Sequence, residues 1–312
     1  MMDGILNINK PAGETSFGVV AAVRRLTGER RVGHAGTLDP EATGVLPVCI
    51  GEGTRVVEFL IEATKAYRAE IELGVATDTY DASGKVTQRG DPSGIDREQV
   101  KSALTSFCGL IQQTPPMYSA VKYRGKRLYQ LARAGIEVER KSRPTRIYRL
   151  ELTGWQPPVA TIEVVCGKGT YVRSLAHDFG QALGCGASLK SLVRLRYGVF
   201  DIEDAVSLPH LESAFRCGYW QHYLYPIDVV LSHWAAVIVS DDAEQKIRHG
   251  RPVVLENGGG EGAGCLRQSS PSHTSVASRC RAYTLDGSFL AVLRFNKENG
   301  QWQPKKVFCG GL

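Results

Sequence analysis

Apolar residues recur along this chain in two rhythms, and each change of rhythm marks an element. Ile5-Leu6-Asn7-Ile8 is a short apolar run that stops at Lys10-Pro11, which predicts a buried strand from Gly4 to Asn9. Thr15-Ser16 then caps a helix whose stripe is Val19, Val20, Val23 and Leu26, with Gly28 as its stop. Gly44 to Ile50 is a second compact strand. The turn Gly51-Glu52-Gly53-Thr54-Arg55 launches a helix bearing Val56, Val57, Phe59, Leu60 and Ile61. Lys65 to Gly74 alternates with a period of two, as a strand does. A helix is predicted from Arg97 to Phe107, strands over 147–154 and 159–166, and after them a helix with Leu175, Phe179 and Leu183 on one face. From Trp234 onward the pattern is that of a small β-rich unit with one short helix from Ser240 to His249. The Gly- and Ser-rich stretch 256–281 interrupts that unit and reads as a flexible insertion.

Charge sharpens this picture in one place. The net charge is +6, but from Val121 to Arg149 ten basic residues meet only two acids, Glu137 and Glu139, so this segment carries the basic character of the whole chain. Tyr118, Tyr123 and Tyr129 are interleaved with Lys122, Arg124, Lys126 and Arg127. Phosphate neutralisation combined with stacking is the physics of RNA contact. With 312 residues, 43% of them hydrophobic, the chain can build one large core and a small second domain. No apolar run reaches the roughly 18 residues that span a bilayer, and Met1-Met2-Asp3-Gly4 lacks the pattern of a signal peptide, so a cytoplasmic protein is expected. The eight cysteines form no C-x-x-C pair and no zinc spacing with His. Neither a metal site nor a cofactor is predicted. Thr77 to Gly84 has acids at alternating spacing but lacks the full ligand set of a calcium loop.

The candidate chemistry sits between Gly33 and Pro47. Asp39 stands before Pro40, which pushes its backbone out of the α region. Gly33, Gly36 and Gly44 allow left-handed backbone and close approach. Such a loop can hold a carboxylate rigidly at the floor of a cleft, although Asp-Pro also starts ordinary turns.

The full pattern Gly-His-x-Gly-x-Leu-Asp-Pro-x-Ala-x-Gly-x-Leu-Pro, from Gly33 to Pro47, resembles the catalytic motif of the tRNA pseudouridine-55 synthases, the TruB family. Further matches are Asn9-Lys10-Pro11-x-Gly-x-Thr-Ser, Gly-Glu-x-Thr-Arg ending at Arg55, Lys-x-Tyr at Tyr67, and Thr-Asp-x-x-Asp-x-x-Gly containing Asp81. Lys-Gly-Thr-Tyr-x-Arg, with Tyr171 and Arg173, and the strand around Leu192 complete the set. The resemblance is specific over residues 4–198 and loose beyond.

It implies a pseudouridine synthase fold of mixed α/β class. The sheet would be mixed and largely antiparallel, flanked by helices, with a small β-rich PUA-like domain at the carboxy end. The implied division is a catalytic domain over 1–230, with a mobile basic thumb at about 117–145, and a PUA-like domain over 231–312. By the same resemblance Asp39 is the nucleophile, Tyr67 the active-site tyrosine and Arg173 the partner of Asp39. His34, Arg55, Asp81, Tyr171 and Leu192 line the site, and Lys122, Lys126 and Arg127 bind RNA. The implied reaction isomerises uridine 55 in the T-arm stem-loop of tRNA, by a monomer that needs neither cofactor nor protein partner. Two other readings stay open: a tRNA-folding chaperone acting through binding alone, and the catalytic subunit of a guide-RNA-dependent complex.

The chemistry agrees with the resemblance. A free aspartate ionises near 3.9, and pairing with Arg173 is expected to lower that further, which suits attack rather than proton donation. A stacked base cannot reach such a group, so the base must flip at a cost of a few kcal/mol. His34 is placed to stack where the base was removed.

Overall fold

The computed structural model describes residues 2–255, 266–267 and 278–308. Eight strands form the spine of its main sheet: β1 (Gly4–Lys10), β2 (Thr43–Ile50), β3 (Lys65–Leu73), β4 (Gly109–Gln113), β5 (Arg143–Gln156), β6 (Val159–Cys166), β7 (Ala187–Tyr197) and β8 (Val206–Ser207). They lie in the order β8-β1-β2-β7-β3-β6-β5-β4. Only β1/β8 and β2/β7 pair in parallel along this path. The sheet is thus mixed and largely antiparallel, as expected. The β2/β7 seam, where strands far apart in sequence are joined, is where the Asp39 loop ends.

Alternation along β1 and β2 feeds two different cores. Leu6, Ile8, Leu46, Val48 and Ile50 pack with Val19, Val20 and Val23 of helix α1 (Ser16–Thr27). Ile5, Val45 and Cys49 point the other way, into a core shared with Val56, Phe59, Tyr197, Leu231, Val292 and Phe308. Both faces being covered explains why these strands read as continuous apolar runs. Helix α1 is capped by Thr15, whose hydroxyl accepts from Gly18 N at 2.9 Å, and closes at Gly28 in the left-handed region, φ 67°. After helices α2 (Val57–Glu62), α3 (Arg97–Thr105) and α4 (Leu128–Arg133), helix α5 (Val172–Ala182) is joined to β3, β6 and β7 by a third core through Val164, Leu175, Ala176 and Phe179.

The basic segment folds as a two-residue-per-strand hairpin, Lys122–Tyr123 with Lys126–Arg127, followed by a helix over Leu128–Arg133. Its own small core is Met117, Leu128 and Leu131.

The carboxy-terminal sheet has the order Leu266–Arg267, Ala235–Ile238, Arg279–Tyr283, Phe289–Asn296, Gln301–Val307. Most of the segment read as a flexible insertion, 256–265 and 268–277, lies outside the described residues. Its end needs correcting. Residues 279–281 belong to a paired strand with Cys280 buried, because Cys280, Ala282 and the facing Leu293 alternate into a core. No described helix is long and apolar enough to cross a membrane.

Candidate active site

The Asp39 loop is held from both sides of the carboxylate. The Ser16 hydroxyl accepts from Leu38 N at 2.9 Å and donates to Leu38 O at 3.0 Å. On the far side Lys10 Nζ donates to Pro40 O at 2.8 Å, and to the carbonyls of Pro11 and Glu14 at 2.7 Å each. Lys10 is fully buried, which pulls its pKa below the ordinary lysine range. The exit of the loop runs under Arg194, on β7. Arg194 is 1% exposed, donates to Val45 O at 2.6 Å and to Gly36 O at 2.9 Å, and lies over the Tyr197 ring. Gly44, at φ 100°, passes so close to the Arg194 backbone that a Cβ there would overlap its carbonyl oxygen. Gly36, also left-handed, lies flat against Tyr197, whereas Gly33 shows no positive φ.

Arg173, in the first turn of α5, reaches this loop from the other half of the sheet. Its Nε lies 2.9 Å from Asp39 Oδ2 and its Nη2 donates to Oδ1 at 3.2 Å, a two-pronged ion pair. The guanidinium is 7% exposed and the carboxylate 44%, so the arginine is the fixed partner and the acid faces the cleft. Arg173 also donates to Tyr118 O at 2.8 Å and to Thr79 O at 3.4 Å, and stands 3.6 Å from Asp81 Oδ2. Asp81 is itself tied down by Thr79 Oγ1 at 2.7 Å and Ser83 Oγ at 2.6 Å.

This environment reverses one expectation. The pKa of Asp39 is not lowered from its ordinary value but raised. Loss of water in the cleft pushes its pKa up; Arg173 pulls it down, and Asp81 adds a further push. The reading of Arg173 as a purely lowering influence left out the desolvation and the second acid.

The other candidates divide into two groups. Tyr67 lies on β3 opposite Arg194 and within electrostatic reach of Asp39. Burial pushes its phenol up, and Arg194 opposes that shift. Tyr171 leads into α5, with its backbone N–H and C=O both bonded to the Gln113 amide, at 2.8 and 3.0 Å. His34 is kept toward its neutral form by burial first and by Arg194 second, and its Nδ1 has no hydrogen-bond partner among the described residues. Leu192 faces Ala69 and packs with Tyr67 against the same core. Lys122, Lys126 and Arg127 are exposed on the hairpin, and no salt bridge ties them down among the described residues.

Arg55 is not brought to this cluster. Its Nη1 lies 2.6 Å from both Glu52 Oε2 and Val307 O, and its guanidinium covers the Phe308 ring at 5.2 Å. It fastens the carboxy-terminal sheet instead, since the turn that carries it runs beneath that sheet. Conversely Arg194, Lys10 and Ser16 build the site without having been singled out as site residues. The only sequence signal was their place inside matching motifs. Among the described residues no His, Cys, Asp and Glu side chains gather as a metal-binding group.

A carboxylate gripped by a buried arginine, a neighbouring tyrosine and a cleft floor on a mixed sheet define the pseudouridylate synthase class. The chain is structurally similar to an H/ACA ribonucleoprotein solved bound to a substrate RNA containing 2′-deoxyuridine, with a TM-score of 0.72 at 25% identity, covering 98% of this chain and 85% of that one. Within the class, the chain belongs to the TruB family. Residues 24–172 match the amino-terminal domain of the TruB pseudouridylate synthases, and residues 173–232 match the tRNA pseudouridylate synthase B carboxy-terminal domain. A tRNA pseudouridine synthase B of Dehalococcoides mccartyi is 46% identical over 98% of this chain and 97% of its own length. Another, of Symbiobacterium thermophilum, is 50% identical over 80% of this chain and 82% of its own. The activity this establishes is tRNA pseudouridine formation, an isomerisation.

Proposed function

We propose that the chain isomerises uridine 55 in the T-loop of bare tRNA as a monomer, with Asp39 as nucleophile. The Arg173–Asp39 ion pair carries this reading: it aims a carboxylate into the cleft and holds it ionised against desolvation. Asp39 adds to the flipped uridine, either at C6 of the base or at the anomeric carbon, and the N1–C1′ bond breaks. The base turns and C5 bonds to C1′, and the Asp39 carboxylate is released, either displaced from C1′ by C5 or expelled from C6 once the new bond has formed. The C5 proton then leaves and N1 gains one, so that product and substrate have the same atoms and no redox partner is required. Tyr67 walls the base. Because burial moves its phenol away from ionisation, proton removal at C5 runs through water beside it rather than through a phenolate. His34, neutral and unpartnered at Nδ1, fills the gap left by the flipped base; about 1–3 kcal/mol from one stack offsets much of the flip. The hairpin of Lys122, Lys126 and Arg127 closes on the RNA backbone. Since the substrate is tRNA, the cytoplasm is the compartment of the reaction.

The test is tritium release from a T-arm stem-loop labelled at C5, without guide RNA. Wild type releases tritium, and Asp39→Asn releases none, a loss on the order of 10⁴-fold or more. Unchanged release by Asp39→Asn would remove the nucleophile assignment. Release only from a guide-bound substrate would favour a guide-dependent subunit, and tight binding without release would favour a chaperone.

A further inference from the structure

Tyr80 has φ 66°, in the left-handed region where side chains other than glycine are strained. Among the described residues only Arg124, at the hairpin tip, shares that property. What holds Tyr80 there is visible. Its ring lies on the His177 imidazole, with centroids 4.0 Å apart and planes 15° from parallel. His177 stands one turn beyond Arg173 on α5, so the two side chains share a face. Both neighbours of Tyr80 in the chain meet that same arginine: Thr79 through its carbonyl and Asp81 through its carboxylate. The Tyr80 carbonyl accepts from Leu189 N at 2.9 Å, and Ala82 N donates to Leu189 O at 2.9 Å. The bend is therefore pinned by its backbone to β7 and by one ring to α5. His177 Nδ1 is buried with no hydrogen-bond partner among the described residues, and the imidazole meets Tyr80 through its face.

We propose that the Tyr80–His177 stack is a positioning element for the isomerisation: it clamps the Thr79–Asp81 bend onto α5, fixing Arg173 between Asp39 and Asp81. The inference rests on the reading of Asp39 given above. Arg173 receives three of its contacts from this bend and from Tyr118, so a bend free to swing leaves the guanidinium free to turn and Asp39 free to misaim. The charged groups that then act on Asp39 are Arg173, Asp81 and Lys10, and the one facing His177 is Arg140.

Single-turnover tritium release and RNA binding are measured for wild type, Tyr80→Gly, Tyr80→Phe and His177→Phe. Glycine accepts the left-handed backbone without strain, so Tyr80→Gly keeps the fold while deleting the ring. Its rate falls about tenfold with RNA affinity within about twofold of wild type. The acid limb of its rate profile moves to higher pH, because an Arg173 no longer held on Asp39 ceases to lower the pKa of that carboxylate, an influence larger than the opposing one of Asp81. Tyr80→Phe and His177→Phe keep two stacked rings and retain the wild-type rate and profile. A wild-type rate and profile in Tyr80→Gly overturns the inference. So does a Tyr80→Phe protein as slow as Tyr80→Gly, which would assign the role to the hydroxyl. If wild type itself releases no tritium, the Asp39 reading falls and takes this inference with it, a result set apart by the silence of all four proteins.

Discussion

The Asp39 loop and the basic hairpin both depend on basic side chains, yet they use them in opposite ways. Around Asp39 the cations are inside the protein. Lys10 donates to Pro40 O of the loop and to the carbonyls of Pro11 and Glu14 beside it, Arg194 donates to two carbonyls of the loop, and Arg173 divides its contacts between two acids and two carbonyls. On the hairpin, Lys122, Lys126 and Arg127 point into water above a core of only three buried residues. A buried cation bonded to backbone fixes geometry, because every alternative position strands a charge. An exposed cation fixes nothing until a phosphate arrives. The same residue types therefore give a rigid cup in one region and an adaptable grip in the other.

The largest effect should come from breaking the cup. Arg194→Met leaves Gly36 O and Val45 O without donors, and should destabilise the fold by about 2–5 kcal/mol in denaturant titration while lowering turnover. Stability equal to wild type would mean that the loop does not depend on this buried charge. Next in size is the grip. Changing Lys122, Lys126 and Arg127 together to Ala should raise KM with kcat retained, and flatten the dependence of log affinity on log salt by about 2–3. Stability should stay within about 0.5 kcal/mol. A collapse of kcat with an unaltered salt slope would place the hairpin in the chemistry instead. Arg55→Ala should cost about 1–2 kcal/mol through the lost Val307 and Phe308 contacts, with the single-turnover rate kept; a lost rate would return Arg55 to the cleft. The smallest effect is a shift in pH. Asp81 raises the pKa of Asp39, so Asp81→Asn should move the acid limb of kcat to lower pH. Movement toward higher pH would show that loss of Arg173 alignment outweighs removal of the charge.

Much of the cup was legible before any coordinates. The Asp39 motif, the Thr15 cap and the Gly28 stop are local patterns whose physics lies within a few residues. The ion pair with Arg173 came from the resemblance and has a geometry to match it. What stayed hidden depended on distant partners. Nothing near Arg55 announces that Val307 will receive its hydrogen bond. Arg194 sits in Leu192-x-Arg194-Leu195-Arg196, where a charged residue on a strand reads as solvent-facing; only the β2/β7 seam makes it interior. The upward shift of Asp39 required knowing that Asp81 lies across the guanidinium and that folding removes part of the water around the carboxylate.

The two-faced burial of β1 and β2 bears on modularity. Ile5, Val45 and Cys49 are covered in part by Val292 and Phe308, and that same core contains Ala35 and Tyr197, which back the Asp39 loop. A chain ended near residue 230 would wet this wall and soften the ground beneath Asp39. The carboxy-terminal sheet cannot be traded like a cassette, and whatever it contributes to recognition, the Asp39 loop stands on it.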